Sequence, residues 1–259
     1  MTVPRTDPEA SDRRPLHERI AADLRDEIMS GDLAPGARLP STAQLKDRFD
    51  ASSATVQKAL GLLKDEHLVV GRAGAAVTVR EHRQRTLRPA AYMAPAKSGE
   101  PYRWLAEAER GGVRAVSTLL DVAEVVPPAD VSRALSLVGG ATAVLRRQLL
   151  SLDGEPAELV ASYYPVDIAR GTPITERRRI RGGTPVLLAE LGFPPHRSVD
   201  DVSARVPTQE QCAALLLPGN LPVLRTLRVV FSADERPVEA TVMVKAGHLY
   251  ELRYEFTPG

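Results

Sequence analysis

Cysteine is nearly absent from the sequence, because Cys212 is the single thiol among 259 residues. One cysteine cannot form a disulfide within its own chain, and such sparse use favours a reducing compartment, so we expect a cytoplasmic protein. Long apolar runs are missing too: no stretch approaches the ~18 residues of a membrane-spanning helix, and we expect no membrane partner. Residues 1–14 are polar, with proline and charge mixed and no apolar core, which predicts a disordered tail rather than a secretory signal.

A strong charge of either sign is also missing, because the formal net charge is +1. Binding to DNA would therefore depend on a local patch of basic residues. Hydrophobic residues make up 43% and charged residues 26% of the chain, proportions typical of a globular protein with a core. The length fits one large domain or two ordinary ones.

Catalytic signatures are not visible in the sequence. The five histidines show no metal-ligand spacing, and we find no Ser-His-Asp pattern, phosphate loop or GxGxxG motif. We therefore predict that the protein is not an enzyme and has no catalytic residues, no metal ion and no cofactor.

The segment from Leu39 to Lys64, LPSTAQLKDRFDASSATVQKALGLLK, has the pattern of two short helices joined by a tight turn. Ser41 and Gln44 form an S-x-x-Q capping box that predicts the start of the first helix. Ser52 predicts the cap of the second helix, whose apolar residues fall on one stripe. The pattern predicts a helix-turn-helix, although two amphipathic helices of any small bundle would show the same spacing.

The residues after this segment favour the helix-turn-helix interpretation. A strand, a Gly-rich turn and a second strand follow (EHLVV, GRAGAA and VTVR), and such a hairpin is a wing. Gln57 can hydrogen-bond a base edge, Lys58 can pair with a phosphate, and small polar residues at a helix start can approach phosphates. The candidate DNA-binding residues are Arg38, Ser41, Lys46, Ser52, Ser53, Thr55, Gln57, Lys58 and Arg72.

Residues 15–80 resemble the N-terminal winged-helix domain of the GntR family of bacterial transcription regulators. The resemblance rests on a helix followed by GDLAPGARLPS, then the helix-turn-helix, then the wing. Family members usually have arginines where this sequence has Ser53 and Gln57, and Glu-Arg where it has Thr42 and Ala43. The resemblance implies a DNA-binding domain, and the departures imply an operator that differs from the usual one of the family.

The rest of the chain groups strand patterns with helices between the pairs, which predicts an α+β domain with a largely antiparallel sheet. Asp153-Gly154 between two strand patterns predicts a hairpin. Residues 167–174 (DIARGTPI) are predicted as a loop, and residues 248–256 (HLYELRYEF) as the last strand.

Residues 95–257 resemble the UTRA effector-binding domain of the HutC branch of GntR regulators, in variants common among actinobacteria. The matching segments are LRRQLLSLDGEPAELVASYYP, SVDDVSARVPTQEQ and PVLRTLRVVFSADERPVEATVMV. The resemblance implies a chorismate-lyase-like fold that generally acts as a sensor.

In the resembling domains, an arginine before the D-G-E-P turn and a serine of the S-Y-x-P strand hold a polar or anionic ligand. Here the arginine is Arg146 or Arg147, of which strand alternation lets only one point inward. A glutamate of many sugar-sensing relatives is replaced by Val160, which disfavours a sugar phosphate. The candidate effector-binding residues are Arg146, Arg147, Glu158, Ser162, Arg205, Glu239 and Tyr250.

The predicted domains are a tail (1–14), a winged helix-turn-helix (15–80), a linker (81–97) and an effector-binding and dimerisation domain (98–257). The predicted function is that of a ligand-responsive transcription regulator: a homodimeric repressor on an inverted-repeat operator, released by a small-molecule effector. Two alternatives stay open. One is a repressor with a non-sensing C-terminal domain, such as a plasmid-transfer repressor, and the other is a lyase-like enzyme fused to a DNA-binding head.

Overall fold

The computed structural model describes residues 12–71, 76–81, 85–89, 106, 108–109, 112–180, 182–219 and 221–256. The chain divides into two compact units, Met1–Arg85 and Thr86–Gly259. Most of the predicted tail, the wing turn that carries Arg72, and residues 82–84 and 90–97 of the predicted linker lie outside the described residues. In the described segments no helix has both the length and the apolar character needed to cross a bilayer.

The N-terminal unit consists of three helices and a small hairpin. Its elements are α1 (Leu16–Ser30), α2 (Thr42–Phe49), α3 (Ser53–Asp65), β1 (Val69–Val70) and β2 (Thr78–Val79). The two strands pair antiparallel, and the loop before α2 extends the hairpin through a hydrogen bond from the Leu39 N–H to the Val77 carbonyl. This arrangement confirms the predicted winged helix-turn-helix.

The helices of the N-terminal unit pack through their apolar faces. Leu24 of α1, Leu45 of α2 and Leu63 of α3 are fully buried in one cluster. The Arg25 guanidinium donates two hydrogen bonds, of 2.8 and 2.6 Å, to the carboxylate of Glu66 just after α3. Paired, bidentate contacts of this kind are the strong ones among charged hydrogen bonds, so they help to fix α1 against the end of α3.

The C-terminal unit is built on a six-stranded antiparallel sheet with the strand order β4-β5-β6-β9-β8-β7. Its strands are β4 (Ala115–Val125), β5 (Ala143–Leu152), β6 (Glu155–Pro165), β7 (Arg197–Arg205), β8 (Val223–Phe231) and β9 (Pro237–Ala246). The α-helices that follow β4 in the described residues are α4 (Ala129–Ala134), α5 (Val166–Ala169), α6 (Thr184–Glu190) and α7 (Gln209–Leu215). The predicted α+β class with an antiparallel sheet is confirmed.

The two faces of this sheet differ in character because side chains alternate along each strand. On one face, Leu145, Tyr163 and Leu227 pack with Val131 of α4. The same face contacts α7 through Leu215, Leu159 and their neighbours. The opposite face carries polar side chains on the central strands, and it forms the floor of a cavity.

Two predicted elements differ from the structure. The predicted loop over residues 167–174 contains most of α5 and part of a 3₁₀ turn (Pro173–Thr175), because Ile168 and Ile174 turn inward and are buried. The predicted last strand is limited to β10 (Tyr250–Leu252), which pairs with β3 (Arg85–Leu87). Beyond this short partner, residues 253–256 have exposed side chains.

Candidate functional sites

The first candidate site is the exposed surface of the helix-turn-helix. Among the predicted DNA-binding residues, Thr55 is half-buried, and the other described ones are exposed: Arg38, Ser41, Lys46, Ser52, Ser53, Gln57 and Lys58. Arg72 lies outside the described residues. In the described part of the chain, Arg38, Lys46 and Lys58 make no ion pair, whereas nearby Arg48 is bound to Glu27. Three exposed cations are therefore available for phosphates.

Several hydroxyl groups of this surface serve the helix ends. Ser41 accepts a hydrogen bond from the Gln44 N–H at 3.3 Å and completes the predicted capping box. Ser52 accepts one from the Thr55 N–H at 3.1 Å, and the two hydroxyls lie 2.9 Å apart. The Gln57 Nε2 donates to the Thr42 hydroxyl at 3.3 Å. The Gln57 amide thus lies beside the start of α2.

The second candidate site is the cavity over the polar face of the sheet, with a volume of about 550 Å³. One register row crosses five strands on its floor: Arg146, Ser162, Thr241, Arg228 and Asp200 are successive cross-strand neighbours. Directly opposed residues in antiparallel strands have Cβ atoms about 5 Å apart. The row therefore lines up two guanidinium groups, two hydroxyls and a carboxylate.

Arg146 is buried and holds the chain that covers one end of the cavity. Its guanidinium donates to the carbonyls of Ile174, Glu176 and Arg178, each at 2.8 Å. Its Nε is buried and has no hydrogen-bond partner among the described residues. Burial lowers the pKa of the guanidinium from its usual value, but an arginine stays charged under physiological conditions.

Glu239 lies at the same end of the cavity and is surrounded by hydroxyl groups. The Thr241 hydroxyl donates to its carboxyl at 2.6 Å, and the hydroxyls of Thr241 and Ser162 lie 2.8 Å apart. Burial raises the pKa of Glu239 above its usual value, although the Thr241 hydrogen bond and the charge of Arg228 oppose the shift. A carboxyl in such surroundings tends toward its protonated form.

The other two carboxylates in the described lining of the cavity are paired with cations. Glu158 and Lys245 are both buried and form an ion pair at 3.1 Å. Asp200 accepts two hydrogen bonds of 2.6 Å from Arg228. Apolar side chains complete the lining between these pairs: Leu119, Leu150, Val160, Met243 and Leu252.

The predicted effector-binding residues divide into two groups. Arg146, Glu158, Ser162 and Glu239 line the cavity. Arg147, Arg205 and Tyr250 are not among its lining residues. Strand alternation predicted that only one of the two adjacent arginines points inward, and Arg147 indeed turns to the opposite face, where it pairs with Glu210 of α7.

The remaining two residues also have other contacts. The Arg205 Nε donates to the Ser203 hydroxyl at 3.1 Å, and its side chain is exposed. Tyr250 is buried in an apolar cluster with Leu150 and Leu152. Neither side chain is placed to contact a ligand in the cavity.

Several lining residues were missed from the sequence. Thr241 and Lys245 lie two and six residues after Glu239 on β9, so strand alternation could have found them. Arg228 follows from the pairing of β8 with β9. Arg179 lies in the segment before α6, where no periodic pattern indicates which side chain points into the cavity.

A winged-helix head with available cations, joined in one chain to a sheet domain with a polar cavity, defines a regulator that combines DNA binding with ligand binding. Family models match both parts: residues 16–79 match "Bacterial regulatory proteins, gntR family", and residues 110–251 match "UTRA domain". The chain belongs to the GntR family of bacterial transcription regulators and carries a UTRA effector-binding domain. It is thus a ligand-responsive DNA-binding regulator.

Similar proteins match along nearly the whole chain. The uncharacterized HTH-type transcriptional regulator SCO4628 of Streptomyces coelicolor is 28% identical, covering 96% of this chain and 94% of that one. The HTH-type transcriptional regulator GgaR of Escherichia coli is 22% identical, covering 93% and 91%. These relatives are transcription regulators.

Solved structures agree on the fold. A crystal structure of a GntR-family transcriptional regulator has a TM-score of 0.61 at 25% identity and covers 95% of this chain and 99% of that one. PhnF from Mycobacterium smegmatis has a TM-score of 0.56 at 18% identity, covering 92% and 100%. The likeness to PhnF is one of fold alone.

Proposed function

We propose that this regulator is a homodimeric repressor that binds an inverted-repeat operator and leaves it when a small polar or anionic effector enters the cavity. The observation that carries the proposal is the row of Arg146, Ser162 and Thr241 on the floor of a cavity of about 550 Å³. Ligand sites are typically cavities of roughly 300–1,000 Å³ with a few fixed polar groups in an apolar lining.

In this proposal, each predicted domain has its own role. Residues 15–80 bind DNA, residues 81–97 link the parts, and residues 98–257 bind the effector and dimerise. Arg38, Lys46 and Lys58 would supply phosphate contacts. Thr55 and Gln57 would read bases, and two heads related by a two-fold axis suit an inverted repeat.

Release from DNA requires the effector to bind one state of the dimer more tightly than the other. Coupling free energies of this kind are typically about 1 to 3 kcal/mol, equivalent to roughly 5- to 150-fold in affinity. A coupling free energy of this size would suffice to release a repressor whose concentration is close to the dissociation constant of its complex with the operator.

The proposal is tested with the full chain in two steps. Operator sites are first obtained by selection from random DNA, and a thermal-shift screen of polar and anionic metabolites then finds ligands that raise the melting temperature. Each hit is titrated into the protein–operator complex while fluorescence anisotropy of the labelled operator is followed. We expect at least one hit to weaken operator binding by roughly 5-fold or more.

Lys58→Ala serves as the control for DNA binding, because losing a phosphate contact should weaken binding to all DNA. In this variant, the slope of the logarithm of the binding constant against the logarithm of the salt concentration should become shallower by about one. Its ligand-induced thermal shift should equal that of the wild type. If every hit that stabilises the protein leaves operator affinity unchanged, the C-terminal domain is a dimeriser without a sensing role.

A further inference from the structure

The segment Ile174–Ile180 covers one end of the cavity and is held from below by Arg146. The three hydrogen bonds of 2.8 Å from Arg146 end on the carbonyls of residues 174, 176 and 178. A buried arginine that donates to three main-chain oxygens fixes the path of this segment. The position of the next residue, Arg179, therefore depends on Arg146.

Three consecutive arginines in this segment have three different environments. Arg177 binds Asp121 of β4 at 3.2 Å, and Arg178 binds Glu176. Arg179 lines the cavity, is exposed, and makes no ion pair within the described part of the chain. Of the three, Arg179 is the one whose charge is available to a molecule in the cavity.

The charges around the cavity leave the Arg179 end positive. Lys245 is neutralised by Glu158, and Arg228 is neutralised by Asp200. Within the described residues, the hydrogen bonds of Arg146 all end on uncharged carbonyls, and its Nε has no hydrogen-bond partner. Glu239, the remaining carboxyl, has a raised pKa because it is buried. An anion at this end would meet two positive charges that no carboxylate of the described cavity lining neutralises.

We propose that Arg179, which follows the segment fixed by Arg146, selects an oxyanion in the cavity. The effector is then a small organic anion, a carboxylate or a phosphate monoester, whose apolar body lies against Val160, Met243 and Leu119. This inference rests on the proposed function, in which the cavity holds the effector. Guanidinium groups suit both head groups because their planar N–H donors match carboxylate and phosphate oxygens.

The test uses four probes that distinguish the contribution of the anionic head group to affinity from that of the apolar body: phenylacetate, phenyl phosphate, the neutral phenylacetamide and inorganic phosphate. Binding to the full chain without DNA is measured by calorimetry at fixed ionic strength. The variants are Arg179→Ala and the matched control Arg177→Ala, which removes the same charge from another exposed side chain two residues away. Neither substitution removes a buried group, so both proteins should fold.

We expect phenylacetate or phenyl phosphate to bind the wild type at least ten-fold more tightly than phenylacetamide, and the preferred of the two identifies the head group. Arg179→Ala should weaken that probe about ten-fold or more, since a charged hydrogen-bonded contact is lost, while Arg177→Ala should stay within two-fold. Inorganic phosphate, which lacks the body, should bind more weakly than either anion.

Equal affinity for the anions and the amide, or equal losses in both variants, would overturn the inference. This failure differs from a failure of the proposed function. A neutral metabolite that binds in the cavity and releases the operator would support the proposed sensor function and contradict only the selection of an oxyanion. Conversely, anion binding that depends on Arg179 but never affects operator affinity would support the selection of an oxyanion by Arg179 and contradict the proposed sensor function.

Discussion

Each carboxyl group of the cavity is stabilised by a different kind of partner. Glu158 has a buried ammonium group and Asp200 a guanidinium. Glu239 is hydrogen-bonded by the Thr241 hydroxyl. A hydroxyl compensates the loss of hydration of a carboxylate less than a cation does, so burial dominates at Glu239 and raises its pKa.

Glu239→Gln should therefore change the pH dependence of stability. The unfolded chain releases this proton near pH 4.3, whereas the native state retains it to higher pH. Native protein binds more protons in that window, so this group lowers stability as the pH rises through it. We expect the melting temperature of the variant, relative to wild type, to increase from pH 4 to pH 8.

The control for this measurement is Glu235→Gln, for which the sign is opposite. A hydrogen bond from Arg197 lowers the pKa of Glu235, so its stabilising contribution is present above the unfolded pKa and is lost as the pH falls through the folded one. That variant should be less stable than wild type at pH 7 and equal to it in acid. If the melting temperature of Glu239→Gln instead falls further below that of the wild type toward pH 8, the raised pKa of Glu239 is contradicted.

Gln57 is the residue that most directly sets the predicted DNA sequence preference. Its exposed amide can form two hydrogen bonds with adenine, whereas an arginine at the same place would favour guanine, a discrimination of about 1 to 3 kcal/mol. Gln57→Arg should therefore change the operator recovered by binding-site selection at one position in each half-site. Lys58→Arg, which preserves a phosphate contact, should recover the wild-type operator. Identical operators for all three proteins would exclude Gln57 from base reading.

At the scale of secondary structure elements, the predictions succeeded where local chemistry determines geometry. The hairpin of β5 and β6 turns at Asp153 and Gly154, which both have positive φ, as a two-residue turn of this sequence requires. Strand alternation then predicted that Arg146 and Arg147 face opposite sides. These features depend on residues close in the sequence, so one sequence is enough to predict them.

Elements held by distant contacts could not be predicted in the same way. The strand predicted over residues 248–256 shortened to β10, because its partner β3 is only three residues long. Arg179 reaches the cavity because Arg146, 33 positions earlier, holds the preceding carbonyls. Tyr250 was predicted to contact a ligand, yet it packs into an apolar cluster. In each case tertiary contacts determine the outcome, and no local pattern reports them.

At the scale of the whole molecule, the two units carry two different kinds of chemistry in one chain. The N-terminal unit offers exposed cations to a polyanion, and the C-terminal unit offers a cavity of about 550 Å³ to a small molecule. Substitutions in one unit should leave the intrinsic binding of the other unchanged unless the two sites are coupled. Coupling is therefore the property that separates a sensor from two joined but independent domains.

Thermodynamic linkage requires such coupling to be reciprocal. If the effector weakens operator binding by a certain factor, saturating operator DNA must weaken effector binding by the same factor. We expect equal factors, within roughly 5- to 150-fold, when operator affinity is measured with and without effector and effector affinity with and without operator. DNA of scrambled sequence, at a concentration too low for non-specific binding, should leave effector affinity unchanged. An effector that binds free and operator-bound protein equally well would establish that the cavity has no part in regulation.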